Sequence, residues 1–459
     1  MLKRKSAAVL LLVCALALAS ACSFFSVEQP PEVEEERVLR IAASWGLSEF
    51  DDYIRSQWTE LFEFANPHIT IELVPTLPSD YYNKPYNEQE PPVELLRKAV
   101  ESGQPPDVIL MYFEDYPKLA EMNLLAPLDP YIQRDGVDLS QYVPAVVEGL
   151  KEIGGGQLFA MAPAFSTQAL IYNADMFEQA GVSPPHDGMT WQELFDLAAL
   201  LSRPEEYRYG FSFSYYMGGD IFWDLMNYYV TPLGLRYFDP DGERMLVDTD
   251  QWEAVWRTVV DLTERTVLPP SGYDPETGMP RAQDPNAEPH PYSYDLFLSG
   301  RVAMTLVSPG QITEIIRMMD SGENVEGFRP FRWDLVTVPS HPEAPGVGPG
   351  VYFDGLMGIA ANAQNSDDAW ALIKFINSRD WARLKSRSLW NLSTYREFLA
   401  PRQGYDYNVE AFAGVKPALP LYDYNNLYRK FPNVWELQQI GYNKMQEVLD
   451  GQKEIRQAL

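Results

Sequence analysis

Side chains that could carry out chemistry are scarce in this sequence, whereas side chains that could stack on a ligand are abundant. Four histidines and two cysteines occur among 459 residues, while aromatic residues make up 13%. His68, His186, His290 and His341 lie far apart without HxH or HxxxH spacing, so we predict exposed loop residues and no metal site. Neither a GxSxG elbow nor a GxxxxGKS/T loop occurs. This balance favours binding over catalysis, and no cofactor is expected.

Residues 239–243 (DPDGE) carry carboxylates at a spacing that could suggest calcium. The later ligands of an EF-hand loop are missing, however. Because an Asp-Gly pair is typical of a hairpin turn, we predict a turn here and leave a structural calcium open.

Strands and helices alternate in the first part of the body. Apolar runs predict strands at residues 38–44, 69–74 and 107–111, and apolar residues at helical spacing predict helices at 50–65 and 92–102. This order predicts a parallel sheet with right-handed crossovers. The apolar positions of the first helix are Tyr53, Ile54, Trp58, Leu61, Phe62 and Phe64.

Candidate ligand contacts follow two of these predicted strands. Trp45 comes after the first strand, and Tyr112, Glu114 and Asp115 come after the third. Because ligands of parallel sheets bind beyond the carboxyl ends of the strands, we expect Trp45 and at least one of the three later side chains to face a binding site. Two alternatives stay open: Trp45 packs within its own loop, or Asp115 caps the next helix.

The rest of the body also alternates between strands and helices. Thr190 and Glu193 predict a capping box at the start of a helix, and Asn173 opens an earlier helix that ends at Gly181. The other predicted elements are strands at 156–165, 168–172 and 333–338, a turn and strand at 297–307, a glycine-rich approach to a strand at 346–362, and a helix at 367–378.

The first residues are typical of an export signal. Lys3, Arg4 and Lys5 form a basic start, and residues 7–19 are apolar. An apolar run of about 13 residues is shorter than the roughly 20 needed to span a bilayer, so cleavage is favoured over an uncleaved anchor helix. We predict a signal peptide at residues 1–21.

The sequence LASAC at residues 18–22 resembles a bacterial lipoprotein box, which implies that Cys22 carries a lipid. Ala19 stands where the box usually has Leu. Because Cys14 leaves with the signal, the lipidated chain has no disulfide. Residues 22–37, rich in Pro and Glu, predict an extended acidic tether, which is physically the same as a disordered end.

The charge of the chain excludes one class of partner. Lys and Arg number 36 against 65 Asp and Glu, a formal net charge of -29. Such a surface repels phosphate backbones, so nucleic acid is not expected as a partner. The length of 459 residues, with 46% apolar residues, predicts at least two globular units.

Strings along residues 38 to about 391 resemble the extracellular sugar-binding proteins of bacterial ABC importers, the group that includes maltose-binding protein. The strings follow the order and spacing of that family, and the lipoprotein box belongs to the pattern. They are FEFANPHITIELVPT (62–76), PPDVILM (105–111), LAEMNLLAPLDPYI (119–132), GQLFAMAPAFSTQALIYNADMFEQAGV (156–182), TWQELFDLAALLS (190–202), FLSGRVAMTLVSPG (297–310), GVYFDGLMGIAAN (350–362) and AWALIKFINS (369–378).

This resemblance implies an α/β, two-lobe periplasmic-binding-protein fold of type II, with the ligand in the cleft between the lobes. Strands that cross between the lobes would act as a hinge, near residues 165–166, near 354–355 and after about residue 392. Lobe one would contain residues 38–165 and 356–392, and lobe two would contain residues 166–355 and 393–459.

A sugar site needs aromatic planes to stack on and planar polar groups to pair with hydroxyls. With the implied cleft placed on this sequence, Tyr352 and Asp354 in the glycine-rich crossing are the leading candidates. The aromatic segment 211–230 could instead be a core helix, which would bury Phe222 more readily than Trp223. The further candidates are Phe165, Ser166, Tyr215, Tyr216, Trp223, Asp224 and Gln311, with Arg387 and Trp390 as lesser ones.

The resemblance implies a lipid-anchored receptor on the extracellular face of the cell membrane. It would capture a carbohydrate, in particular an oligosaccharide, and deliver it to the permease subunits of an ABC transporter. We expect a monomer that is not an enzyme. Two alternatives remain open: a secreted carbohydrate hydrolase with two cleft carboxylates, and a receptor for a peptide, a polyamine or another charged solute.

Overall fold

The computed structural model describes residues 35–459, apart from 48–51, 220, 241, 271, 275, 285–289, 388–389, 403, 420, 423 and 432. The predicted signal peptide, Cys22 and most of the tether therefore lie outside the described residues. The strands of the described part are β1 (Arg37–Ala43), β2 (Ile69–Leu73), β3 (Val108–Leu110), β4 (Leu125–Ala126), β5 (Ala160–Met161), β6 (Ala164–Ser166), β7 (Ala169–Asn173), β8 (Tyr209–Ser212), β9 (Val302–Val307), β10 (Trp333–Thr337), β11 (Val347–Gly348), β12 (Tyr352–Asp354), β13 (Met357–Ala360), β14 (Leu392–Ser393) and β15 (Lys416–Pro417).

Helices connect and cover these strands. Within the described residues, no helix is both long enough and apolar enough to cross a membrane. The α-helices are α1 (Asp52–Ile54), α2 (Glu60–Ala65), α3 (Pro92–Val100), α4 (Tyr116–Glu121), α5 (Asp129–Asp135), α6 (Pro144–Ile153), α7 (Ala174–Ala180), α8 (Trp191–Leu201), α9 (Ile221–Asp224), α10 (Asp250–Glu264), α11 (Pro309–Ser321), α12 (Ser366–Ile376), α13 (Arg379–Lys385), α14 (Tyr424–Lys430), α15 (Glu436–Leu449) and α16 (Ile455–Ala458).

The first sheet has the strand order β2-β1-β3-β13-β4, and β5 also pairs with β13. The pairs β1–β2 and β1–β3 are parallel, as the alternation of strands and helices predicts. Strand β13 is antiparallel to β3, so the complete sheet is mixed. We call this sheet and the helices packed on it lobe one.

The helix predicted at residues 50–65 is interrupted. A π-helical turn at Arg55–Thr59 separates α1 from α2. A π-helical turn holds more residues than an α-helical turn, so it rotates the positions that follow it around the axis. The predicted apolar face is consequently split: Ile54, Trp58 and Phe62 are buried, whereas the structure exposes Tyr53, Leu61 and Phe64.

The second sheet has the order β10-β7-β9-β8. Strand β7 pairs antiparallel with both β10 and β9, and β8 lies parallel to β9. We call this sheet and its helices lobe two. Its core contains the buried indoles of Trp191 and Trp252 and the buried rings of Phe195 and Phe211.

Local helix signals are confirmed in lobe two. The Asn173 side chain accepts a hydrogen bond from the amide of Met176, and helix α7 ends at Gly181 in the left-handed conformation. Thr190 and Glu193 form the predicted capping box of α8. The prediction that His341 lies in an exposed loop is wrong, because its ring is buried and one ring nitrogen lies 2.7 Å from the Tyr229 carbonyl oxygen.

A third sheet consists of three short strands in the order β12-β6-β14. Its strands belong to the segments through which the chain passes between the two lobes. Strand β6 pairs antiparallel with both neighbours. In this register Tyr352 is opposite Ser166, and Phe353 is opposite Phe165. We call these three strands the crossing sheet.

A buried carboxylate joins three parts of lobe one. Asp107 is 1% exposed. Its Oδ2 atom accepts a hydrogen bond of 3.0 Å from the amide of Arg40 in β1, and its Oδ1 atom accepts bonds of 2.9 and 2.7 Å from the amides of Gln364 and Asn365. Asp107 therefore fixes the start of β3 against both β1 and the approach to α12.

We predict that Asp107→Ala lowers the free energy of unfolding by about 3 kcal/mol, because three backbone amides lose a buried carboxylate acceptor. Urea unfolding monitored by circular dichroism measures the change. Asp380→Ala is the control, since that exposed carboxylate should contribute less than about 0.5 kcal/mol. A loss for Asp107→Ala no larger than that of the control would contradict this role.

Candidate functional site

Two aromatic side chains stack at the carboxyl edge of the lobe-one sheet. Trp45 follows β1 and Tyr112 follows β3, and because these strands are parallel neighbours, the two residues emerge side by side. The Tyr112 amide donates a 3.2 Å hydrogen bond to the Ser44 hydroxyl, which fixes the turn. The ring centroids lie 4.4 Å apart with an angle of 28° between the planes. Tyr112 remains 42% exposed, so part of this stacked pair is open to a ligand.

Further polar groups surround Tyr112. Burial, together with the charges on Asp354 and Glu114 and the nearby phenols of Tyr53 and Tyr112, raises the pKa of Tyr352 to about 12, and burial is the largest cause. Burial also raises the pKa of Tyr112, helped by the Asp115 and Glu114 carboxylates. Both phenols therefore keep their protons at neutral pH and can donate hydrogen bonds. Five of the predicted residues, Trp45, Tyr112, Glu114, Tyr352 and Asp354, thus lie in one region.

The crossing sheet contributes a carboxylate to this region. Asp354, at the end of β12, is partly buried and accepts a 3.0 Å hydrogen bond from the Asn391 side-chain amide. Burial raises the pKa of Asp354, while the Asn391 bond and the positive charge of Lys385 act in the opposite direction. A pocket of about 70 Å³ lies beside Asp354 and is also lined by Trp58 and Ser393.

Residues on both sides of β14 in the chain link the crossing sheet to helix α11 of lobe two. The indole of Trp390 lies against Gly310, where an added Cβ atom would approach the ring to 2.6 Å. Arg402 donates hydrogen bonds of 2.9 Å to the Thr313 hydroxyl and 3.4 Å to the Asn391 carbonyl oxygen. Trp390, a lesser candidate in the sequence, therefore lies where both lobes approach each other.

Lobe two supplies a second aromatic group. Tyr215 and Tyr216 contact each other edge to face at 4.9 Å, and Tyr216 forms an antiparallel bridge with Asp295. Tyr216 is 51% exposed, whereas Tyr215 is buried. Asp295 is buried as well and accepts a 2.7 Å hydrogen bond from the Leu298 amide. The buried pair positions the segment that carries Tyr216.

The aromatic segment of lobe two divides between core and surface. Phe222, Leu225 and Met226 are buried, as the core alternative predicts, whereas Trp223 is 44% exposed. The Ser214 hydroxyl hydrogen-bonds the Asp224 carboxylate, and both residues line a cavity of about 20 Å³, which has room for about one water molecule.

Several predicted site residues have a structural role in this conformation. Phe165 is 2% exposed and belongs to the core, and Asp115 is buried at the start of α4 without accepting a capping bond. Gln311 is part of a capping box: its side-chain oxygen accepts a 2.8 Å hydrogen bond from the Ser308 amide. Ser166 is partly buried and pairs opposite Tyr352. Direct ligand contact by these residues stays a prediction.

Other residues of the region were not singled out in the sequence. Tyr53 is 58% exposed beside Tyr352, although its spacing assigned it to an apolar helix face. Asn391, Arg402 and Asp295 carry no local motif. The SxxQ pattern of Ser308 to Gln311 is the one missed signal, since it is typical of a helix start. Arg387 is exposed, and no contact of its side chain with the region is described.

The site as described consists of aromatic planes, phenol hydroxyls and carboxylates. Among the described residues, no group of three or more His, Cys, Asp or Glu side chains is arranged to hold a metal ion. Such a surface can stack against C–H faces and exchange paired hydrogen bonds with hydroxyl groups.

Comparison with known proteins places the site in a family context. The family model described as bacterial extracellular solute-binding protein matches residues 47–383. A maltotriose-binding protein of Pyrococcus abyssi is 24% identical over 297 residues, which cover 63% of this chain and 55% of the relative.

Solved structures show the same two-lobe fold. UspC of M. tuberculosis matches with a TM-score of 0.60 and 17% identity, covering 92% of this chain and 97% of that chain. The sugar-binding protein MalE of Xanthomonas citri matches with a TM-score of 0.57 and 19% identity, covering 92% and 94%.

We predict that the buried Asp295, which contacts Tyr215, makes the free energy of unfolding depend on pH. Burial raises its pKa to about 6 from the ordinary value of 3.8, against the opposing effect of the Tyr215 hydrogen bond. The folded state therefore holds this proton more tightly than the unfolded state, so the contribution of Asp295 becomes less favourable as pH rises from about 4 to about 6.

Asp295→Asn keeps an oxygen acceptor but has no proton to lose. Relative to the wild-type chain, its free energy of unfolding should gain about 2 kcal/mol between pH 4.5 and pH 7, as measured by urea unfolding at both values. Asp380→Asn serves as the exposed control and should show no such gain. A constant difference between Asp295→Asn and wild type at the two pH values would refute the prediction.

Proposed function

This chain belongs to the family of bacterial extracellular solute-binding proteins, and from that premise we propose that it captures a carbohydrate, in particular an oligosaccharide, for an ABC importer. The stack of Trp45 on Tyr112, with the exposed phenol of Tyr352 nearby, is the observation that carries this proposal. Aromatic planes bind the C–H faces of sugars, and the neighbouring Glu114 and Asp354 carboxylates can accept bonds from sugar hydroxyls.

The names of relatives support the same ligand class. The maltotriose-binding protein of Pyrococcus abyssi and the sugar-binding protein of Xanthomonas citri are both named for sugars. The hydrolase alternative has less support, because these matched proteins are named as binding proteins. A charged solute has less support as well, because exposed aromatic planes dominate the described region.

We propose that the lobes close on the ligand about the crossing sheet. In this proposal lobe one contains residues 38–165 and 356–392, and lobe two contains residues 166–355 and 393–459. The pairing of β12, β6 and β14 supports these boundaries, because three short strands can bend together while the two larger sheets stay rigid. The closed form would then be the one that a permease recognises.

We also propose that Cys22 carries the lipid that holds the protein at the extracellular face of the cell membrane. The support is the LASAC sequence after a basic and apolar start. The acidic residues 22–37 would then hold the body away from an anionic membrane surface.

We predict that Tyr112→Ala and Tyr352→Ala each weaken sugar binding about tenfold, because each removes an aromatic contact with a ligand. The ligand is first found by thermal-shift screening of the wild-type chain against an oligosaccharide panel. A true ligand at about 100 times its Kd stabilises the fold by about 2.7 kcal/mol. Isothermal titration then compares the variants.

Phe64→Ala is the matched control, because Phe64 is an aromatic residue of the same lobe that is 86% exposed and makes no described contact with the site. Its affinity should equal that of wild type. If no member of the panel stabilises the chain while another solute class does, the carbohydrate assignment is wrong.

For the lipid anchor, we predict that Cys22→Ala releases the protein from the membrane and abolishes its labelling by radioactive palmitate in a bacterial host. Cys14→Ala is the control, because Cys14 lies inside the predicted signal and should leave both properties unchanged. Equal labelling of both variants would exclude Cys22 as the attachment site.

A further inference from the structure

After the third crossing strand, a helix of lobe two contacts lobe one again. Helix α14 (Tyr424–Lys430) packs against the short helical turn Tyr86–Glu88, which lies between β2 and α3 of lobe one. The same helix is fixed to lobe two through Leu427, which is buried together with Phe238 and Tyr422. Helix α14 therefore joins the two lobes independently of the crossing sheet.

The attachment to lobe two is aromatic. The Phe238 and Tyr422 rings lie 4.6 Å apart, and Tyr422 stacks on Tyr237 at 6.1 Å with parallel planes. Tyr237 in turn stacks on Trp252, a buried core residue of lobe two. This series of contacts ties the beginning of α14 to the core of lobe two.

One cation of α14 contacts lobe one in two ways. Arg429 is 7% exposed, and its Nη2 atom donates a 2.7 Å hydrogen bond to the Tyr81 hydroxyl. The Arg429 guanidinium carbon also lies 4.9 Å from the centre of the Tyr86 ring. The guanidinium therefore has both a polar and an aromatic contact on the same lobe-one loop.

That loop is itself fixed to lobe one. The Tyr81 hydroxyl donates a 3.0 Å hydrogen bond to the carbonyl oxygen of Glu90, and the Glu90 carboxylate forms an ion pair with Lys98 of α3. Force applied through Arg429 would therefore act on the body of lobe one.

The contact adjoins the candidate site. Tyr82 meets Tyr81 edge to face at 5.3 Å and is one of the groups that raise the pKa of Tyr112. The exposed Tyr82 is thus close to both the Arg429 contact and Tyr112. A movement of the loop around Tyr81 would be felt at the site.

We propose that Arg429 is an interlobe latch, which holds the lobes together beside the cleft and so regulates ligand entry and release. This inference rests on the proposed closure of two lobes about the crossing sheet. Opening would withdraw the guanidinium from Tyr81 and Tyr86 together, because one planar group makes both contacts. The latch therefore favours two discrete states over a continuous range of angles.

The test measures the distance between the lobes without any ligand. Spin labels are attached to Glu121→Cys in α4 and Gln192→Cys in α8, one exposed position in each lobe, in the full chain with Cys14→Ser and Cys22→Ser. Pulsed electron paramagnetic resonance then gives the distribution of distances. Arg429→Met should lower the ratio of latched to open molecules about tenfold, since it removes the hydrogen bond and the cation–π contact.

Arg317→Met in α11 is the matched control, because it makes the same substitution at an exposed arginine of lobe two. Its distance distribution should be that of the wild type. Tyr81→Phe removes the acceptor hydroxyl and should give a smaller change in the same direction as Arg429→Met. An unchanged distribution in Arg429→Met, whatever its melting temperature, would show that the contact only stabilises the fold and would overturn the latch.

If Arg429→Met does not fold, Arg429→Lys and Tyr81→Phe decide the question, because both keep the packing largely intact. A shift to open distances in either supports the latch, and no shift in both overturns it. Because no sugar is added, the result does not depend on the carbohydrate assignment, which the binding screen tests separately.

Discussion

The register of the crossing sheet is the constraint on which the arrangement of the site depends. Strand β6 pairs with β12 and β14, which come about 190 and 230 residues later in the chain. This pairing brings Tyr352 and Asp354 to the edge where β1 and β3 end. A slip of one residue in β12 would turn the Tyr352 and Asp354 side chains to the opposite face of the strand. The stacked Trp45–Tyr112 pair would then lose these two polar neighbours.

The electrostatics of the site follow from partial burial. Phenols and carboxylates share a region that water reaches only in part, so loss of a proton by Tyr352 or Tyr112 is disfavoured both by desolvation and by nearby negative charge. The phenols consequently stay donors while Glu114 offers an acceptor. A polyhydroxylated ligand needs both functions, whereas the net charge of -29 makes an anionic ligand a poor match.

Much of this could be predicted from the sequence, where local rules apply. The strand-end rule places Trp45 beside Tyr112, and the capping box of α8 is present as predicted. The antiparallel entry of β13 could not be predicted from spacing, because it depends on a partner far away in the chain. Tyr53 was assigned to the helix core because a π-helical turn leaves no trace in apolar periodicity. Arg429 carries no motif, since its partners Tyr81 and Tyr86 are supplied by a distant loop.

Two kinds of interlobe connection then have different mechanical roles. The crossing sheet is held by backbone hydrogen bonds that can bend and still persist, so it permits rotation without choosing an angle. The Arg429 contact is directional, because a hydrogen bond and a ring contact are both lost over a short displacement. A hinge that tolerates many angles, combined with a contact that exists at one of them, converts a continuous motion into a two-state one. Ligand binding needs to supply only the difference in free energy between those two states.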